Sequence, residues 1–170
     1  MSTVIVYTRA DGGVTCICPW LKSYAPDGTE IFNKNPPWRL PGESEADCEK
    51  RTADRLVPAG ITYQIISTTS LPKRRFRDAW SLTNSTVSVD MTKARTIRKG
   101  EILKQRDELV DSATRKAIKA EDAGDNAEAK KQKDKRKELN GMDLTIDAAL
   151  LLQLTPDALA AYTPPEFSGI

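Results

Sequence analysis

Three cysteines are the only thiols in this 170-residue chain, which contains no histidine. Cys16 and Cys18 lie two residues apart on a predicted strand, where alternate side chains share one face. A structural zinc site usually needs about four ligands in C-x-x-C or Cys/His groupings, and only Cys48 remains. We therefore expect structural cysteines, with no metal site and no cofactor.

Carboxylate pairs are the other groups that could do chemistry. Asp107–Glu108 and Glu121–Asp122 have no histidine, glycine-rich loop or nucleophile motif beside them, and the chain has no Walker or dinucleotide-binding motif. On a helix such carboxylates usually pair with lysine or arginine one turn away. The expected class is non-enzymatic, with no catalytic residue.

Two basic runs could bind an anionic partner. The run Lys130–Lys137 is interrupted by Asp134 and followed by Glu138, and no aromatic residue interleaves with it for base stacking. We interpret it as a solvated helix face, with a nucleic-acid-binding regulator as the alternative. The run 73–77 is interpreted as a strand rim whose Phe76 points inward.

Composition argues against several partners. The chain has 26 basic and 24 acidic residues, a net charge of +2, so no strong field draws it to nucleic acid or a membrane. The start of the chain has no signal-peptide pattern, and no apolar run reaches the length of a membrane span. We expect a soluble protein made in a reducing cytoplasm, with nucleic acid and membrane as unfavoured partners.

The predicted fold class is α+β, beginning with a β-rich module over residues 1–89. Residues 3–18 predict a hairpin around an Asp-Gly turn. A proline-rich loop over 20–42 is followed by a helix from Ser44 to Val57, with Ser44 as N-cap and Cys48, Ala53 and Leu56 on its apolar face. Strands are expected over 61–67, around Phe76 and Trp80, and over 86–90.

The second half predicts helices. A charged antiparallel hairpin is expected over 90–140, with a turn at 123–126 and Asn140–Gly141 as its C-terminal cap. Residues 141–170 form an apolar C-terminal segment, in which Thr155 caps a short helix that begins with Pro156.

Apolar residues recur at helical spacing along the first arm of the hairpin, and the second arm has few apolar residues to cover them. Such an incompletely covered stripe needs a partner, so we expect a homo-oligomer, with a trimer as one option. The residues expected to bind the partner are Trp38, Ile102, Leu109, Ala113, Leu151, Leu154, Tyr162 and Phe167.

The order of these pieces resembles small uncharacterised proteins encoded among the tail genes of tailed bacteriophages. The resemblance lies in V-Y-T-R-A-D-G-G-V, V-P-A-G, F-R-D-A-W, V-S-V-D-M-T-K-A-R and a hairpin with an A-G-D turn. The layout is also loosely similar to tail-fibre assembly proteins. The motifs are architectural, so no functional residue is carried over.

The resemblance implies a structural component of a tailed-phage virion, acting as an adaptor or attachment protein at the tail, the tail fibre or the head–tail junction. Its partners would be other phage structural proteins of the tail, fibre or portal adaptor. The protein would be made in the host bacterial cytoplasm and end in the virion. The alternative is a tail-fibre assembly chaperone that does not enter the virion.

Overall fold

The computed structural model describes residues 3–18, 42–142 and 145–167, together with the backbone of residues 23–24 and 30–31. The chain forms two compact units, Met1–Asp90 and Met91–Ile170. The predicted α+β class is confirmed, since β-strands lie in the first unit and long helices in the second. Most of the proline-rich loop, including Trp38, lies outside the described residues.

The first unit is built on a three-stranded antiparallel sheet. Its strands are β1 (Thr3–Thr8), β2 (Val14–Ile17) and β5 (Tyr63–Ser67), in the order β2-β1-β5. Two short strands, β3 (Ser23–Tyr24) and β4 (Glu30–Ile31), pair separately. The predicted hairpin over 3–18 is confirmed. The strand over 61–67, expected to be a core strand, is instead an edge strand beside β1.

Strand β1 is buried on both faces because its side chains alternate between two small cores. Val4 and Val6 pack with residues of the later hairpin, whereas Ile5 packs with α1 (Glu45–Leu56). All three side chains are fully buried. The β-branched run at the start of the chain thus serves as the centre of the unit.

Helix α1 begins where the sequence predicts. The hydroxyl of Ser44 accepts a hydrogen bond from the Asp47 amide, and Glu49 accepts one from the Thr3 hydroxyl of β1. Ala53 is buried against the sheet, but Leu56, expected on this apolar face, is exposed, and Val57 takes the buried position beyond the helix end. Helix α1 ends at Leu56, since the backbone of Val57 is extended.

The two strands expected around the Asn84–Ser85 turn are only partly confirmed. β6 (Trp80–Thr83) and β7 (Thr86–Val89) form the hairpin, and both turn residues have positive φ, as a two-residue type I′ turn requires. However, 74–79 forms two 3₁₀ turns that meet at a kink at Phe76, rather than a strand. Phe76, Ala79 and Trp80 are all buried, so Phe76 points inward as expected.

The second unit contains the predicted hairpin, formed by α2 (Met91–Asp122) and α3 (Asn126–Gly141). Gly124 supplies the positive φ of the turn, and the Asp125 carboxylate caps α3 by accepting from the Glu128 amide at 3.0 Å. Helix α3 runs through Asn140 and Gly141 and ends at Met142, which corrects the expected cap pair.

Small side chains line the hairpin contact. Ala113, Ala117 and Ala120 of α2 are buried, as is Ala129 of α3. Alanines at this spacing let two helices approach closely, so even a highly charged return arm covers this part of the stripe. The expectation that the stripe stays open for a partner is therefore corrected at these alanines, whereas Leu109 is half-buried.

Two short helices follow the hairpin in the same unit, α4 (Ile146–Leu151) and α5 (Pro156–Ala161). The hydroxyl of Thr155 accepts from the Ala158 amide at 3.1 Å, which confirms Thr155 as the cap of a helix that begins with proline. Both helices contact α2, and Ile146, Leu150 and Leu159 are buried.

Candidate protein-binding site

Three leucines are the most exposed large hydrophobic residues in the part of the chain that the structure describes. Leu151, Leu152 and Leu154 are 61%, 78% and 78% exposed, and we call them the leucine cluster. Exposed large aliphatic side chains are individually ordinary, and three of them within four residues make this segment a candidate interaction surface. Sequence reasoning singled out Leu151 and Leu154 and missed Leu152.

The leucine cluster is held by an arginine from α2. Arg95 donates through Nε to the Leu150 carbonyl and through Nη2 to the Gln153 carbonyl, each at 3.2 Å. The Leu150 carbonyl belongs to the last turn of α4, whose final carbonyls lack intrahelical donors and lie at the negative end of the helix dipole, so a guanidinium suits this position. One side chain thus fixes the backbone on both sides of Leu151 and Leu152.

Further polar contacts hold α4 and the end of α5 on α2. Arg98, which is buried, donates through Nη2 to the Tyr162 carbonyl at 2.6 Å and through Nη1 to Glu101 at 2.9 Å. Lys99 forms an ion pair with Asp147 at 2.7 Å. The segment is therefore ordered before any partner arrives, which lowers the entropy lost on binding.

The other predicted partner residues divide into two groups. Leu109, Tyr162 and Phe167 are half-buried, so each offers only part of its side chain. Burial, followed by the nearby Glu166 charge, raises the pKa of the Tyr162 hydroxyl. Ile102 and Ala113 are buried, and the structure does not place them with the leucine cluster. Their apolar spacing reflects packing within the fold, which corrects the expectation that they face a partner.

A groove of about 680 Å³ lies between α2 and α3. Its floor is apolar, at Leu109, Ala113 and Leu139, but its walls carry both signs of charge. The wall charges are Lys116, Glu128, Lys130, Lys131, Asp134, Lys135 and Glu138. Four lysines against three carboxylates leave a net charge of only +1, so the groove has no strong preference for an anion or a cation.

The basic run Lys130–Lys137 lies on α3, as expected of a helix face. Ion pairs join Lys130 to Asp134 at 2.9 Å and Lys135 to Glu138 at 3.2 Å, and Lys133 binds Glu121 of α2. These exposed pairs contribute little stability each. They do place a carboxylate beside each of these three cations, which weakens the case for a phosphate-binding face.

The three thiols differ in their exposure to solvent. Cys48 is buried, Cys16 is half-buried and Cys18 is exposed. Burial raises the pKa of the Cys48 and Cys16 thiols, so neither is an activated nucleophile. Among the residues that the structure describes, no group of three or more potential His, Cys, Asp or Glu ligands is arranged for a metal ion.

The exposure of Leu152 could have been inferred from the number of leucines in this short stretch. Residues 150–154 read L-L-L-Q-L, and a six-residue helix buries only positions about four apart, here Ile146 and Leu150. The remaining leucines of the run therefore had to be exposed or covered by a second element.

The chain matches no family model, no curated protein and no solved structure. Within the described ranges, no helix has both the length and the apolar character needed to cross a bilayer.

Proposed function

We propose that this protein is a structural component of a tailed-phage virion, acting as an adaptor or attachment protein at the tail, the tail fibre or the head–tail junction. In this role it binds a neighbouring protein through the leucine cluster and performs no catalysis. The tailed-phage setting comes from the resemblance of the sequence layout. The observation that carries the binding role is a set of three exposed leucines on a backbone fixed by Arg95.

The physical argument is that the surface is both apolar and ordered. Burying a well-exposed leucine on association contributes roughly 1.5–2 kcal/mol. The segment already makes hydrogen bonds to Arg95 and Arg98, so little backbone ordering opposes that gain. A rigid apolar surface of this kind suits a permanent neighbour in an assembly better than a transient substrate.

The test is quantitative mass spectrometry of purified, salt-washed virions from the source phage. A structural component is present at a fixed copy number, and that number indicates the symmetry of its position. Absence from particles, with abundance in the infected-cell lysate, would instead support the tail-fibre assembly chaperone and overturn the proposal.

A pair of variants connects the virion result to the site. Leu152→Asp places a charge in the leucine cluster, and Ile118→Asp places the same charge on α2, where the isoleucine is also about half exposed. We expect the Leu152 variant to be lost from particles and the Ile118 variant to be retained. Retention of both, at wild-type copy number, would remove the leucine cluster from the proposed role.

A further inference from the structure

The segment between β5 and β6 carries a concentrated positive charge on the first unit. Lys73, Arg74, Arg75 and Arg77 are all exposed, and we call them the basic patch. The sequence predicted the rim of a strand here, but the segment folds as 3₁₀ turns that meet at Phe76. The basic patch therefore lies on a compact turn structure rather than along an extended edge.

The backbone under the basic patch is fixed by the core of the first unit. Phe76 and Ala79 are buried, and the Ala79 carbonyl accepts a hydrogen bond from the Asp90 amide, just beyond β7, at 2.8 Å. The guanidinium of Arg75 lies over the Phe76 ring, 5.5 Å from its centroid. Because Phe76 and Ala79 occupy the inward positions, the charged side chains around them reach into solvent.

Arg74 and Arg77 extend on the same side of the segment, beside β2. Burial raises the pKa of the Cys16 thiol in β2, and the Arg77 and Arg74 charges both oppose that rise. The effect of an exposed charge fades beyond about 10 Å, so both guanidiniums lie near one point of the strand. Neither arginine forms an ion pair with a carboxylate in the part of the chain that the structure describes.

Three carboxylates lie on segments that adjoin the basic patch. Asp11 forms an ion pair with Arg9 at 3.1 Å. The hydrogen bond to Asp11 is the main cause that raises the pKa of Arg9, and the Asp78 charge adds to it, so Asp78 lies towards Arg9. Asp90 is the third. With all three counted against Arg9 and the basic patch, this part of the surface keeps a net charge of +2.

The surroundings of the basic patch do not resemble the centre of a protein interface. Such centres are apolar and depleted of charge. Among the described residues, no well-exposed large hydrophobic side chain lies between Ile65 and Ile118 in the chain. Ile65 itself pairs with Ile5 of the α1 core, on the other face of the sheet from Trp80, which the 3₁₀ turns precede. The patch thus offers charge without an apolar centre.

The same surroundings favour a duplex over a single strand. Binding of single-stranded nucleic acid uses exposed aromatic side chains on which bases stack. Every aromatic side chain that the structure describes is buried or half-buried. Guanidiniums, in contrast, suit phosphate oxygens, which they can hold through two parallel hydrogen bonds.

We infer that the basic patch binds the phosphate backbone of duplex DNA without reading its sequence. Arg74 and Arg77 contact phosphates, and Lys73 and Arg75 add positive charge beside them. The affinity comes from counterions released by the DNA, and with a whole-chain net charge of only +2 it is weak, with a Kd of about 10⁻⁴–10⁻⁶ M at physiological salt. The site lies on the first unit and is independent of the leucine cluster, so it goes beyond the proposed function.

The experiment is fluorescence anisotropy of a labelled DNA duplex of about 25 base pairs, titrated with the purified full chain between about 50 and 200 mM salt. Contacts to about three phosphates predict a slope of about −3 for the logarithm of affinity against that of salt, a loss of about fortyfold over this range. A duplex of unrelated sequence should bind within about twofold, since phosphate contacts carry no sequence information.

Paired variants connect the binding to the basic patch. Arg74→Gln with Arg77→Gln removes two phosphate contacts, so the slope should fall to about −1. Arg74→Lys with Arg77→Lys should keep a slope near that of wild type, because lysine also binds phosphate as a point charge. The matched control is Lys130→Gln with Lys131→Gln, which lowers the net charge equally on α3 and should leave the slope unchanged. Far-ultraviolet circular dichroism checks that each variant is folded.

Each other outcome overturns the inference. Wild type that leaves the duplex free up to about 0.1 mM, the weak limit of non-specific binding, would exclude a DNA-binding patch. Equal losses in the glutamine pair and the α3 control would attribute binding to the charge of the whole chain. Poly-glutamate that displaces the duplex as well as unlabelled DNA does would assign the patch to an acidic protein, and tighter binding of an RNA duplex would assign it to RNA. None of these results alters the copy number in virions, so the proposed function stands or falls separately.

Discussion

Replacing Arg95 by methionine tests whether one guanidinium holds the leucine cluster in place. Methionine keeps an unbranched, largely apolar stem on α2 but removes both donors, which reach the Leu150 and Gln153 carbonyls at 3.2 Å. A hydrogen bond from a charged donor contributes about 1.5–3 kcal/mol when well buried. Arg95 is only half-buried and both bonds are long, so we expect about 1 kcal/mol from each.

A local loss of about 2 kcal/mol corresponds to roughly thirtyfold faster amide hydrogen exchange where opening is limited to this segment. The amide to follow is that of Gln153, which donates to the Leu150 carbonyl at 3.1 Å, the same oxygen that Arg95 binds. The Leu159 amide, which donates to the Thr155 carbonyl at 2.9 Å, reports on the next helix.

Arg115→Met is the matched control, since Arg115 is an exposed arginine on the same helix. It should leave the Gln153 amide within a factor of about two of wild type, the size of an ordinary surface effect. Equal exchange at Gln153 in the Arg95 and Arg115 variants would refute the reasoning that Arg95 orders the leucine cluster.

Three further predictions concern local features. Ser85→Gly should stabilise the first unit by about 1 kcal/mol in chemical denaturation, because Ser85 has a φ of 66° and glycine adopts that conformation without strain. Gly100→Ala should stabilise α2 by about 0.5–1 kcal/mol in the same assay, since an added Cβ meets no atom within 4 Å. Equal or lower stability in either variant would contradict these readings. With a colorimetric thiol reagent, Cys18 should react first and Cys48 last, because Cys48 is buried and its thiol pKa is raised; fast labelling of Cys48 in the native protein would contradict its burial.

Local chemistry was the most predictable part of the fold. Ser44 and Thr155 cap their helices as their residue types and positions indicate, because capping depends only on neighbours along the chain. The Asp-Gly turn between β1 and β2 and the turn between α2 and α3 follow for the same reason.

Two local predictions were wrong because the sequence signal, spacing in one case and residue type in the other, fitted more than one structure. Phe76 and Trp80 are four residues apart, which fits both a strand of period two and a helical turn, and the structure forms two 3₁₀ turns that meet at Phe76. Asn140 and Gly141 looked like a helix end by type, yet the helix continues to Gly141 and ends at Met142, where the buried methionine packs.

The site was less predictable because exposure depends on distant parts of the chain. Ala113 looked available to a partner until α3 was seen to lie close enough to cover it, which small side chains permit. The role of Arg95 depends on carbonyls 55 and 58 residues away, and a backbone carbonyl carries no residue-specific signal in a sequence. The leucines could be recognised in the sequence, but the hydrogen bonds from Arg95 that hold their backbone could not.

The contacts that α2 makes also determine the order in which parts of the second unit can form during synthesis. The C-terminal half of α2 pairs with α3 through a short turn. Arg98, near the start of α2, can form its hydrogen bond only after Tyr162, 64 residues later, has been made. At ribosomal rates the stretch from Met142 to Phe167 takes roughly one to five seconds to make. Throughout that interval the hairpin exists without its anchored leucines, so the leucine cluster is held in place only after Tyr162 has been made.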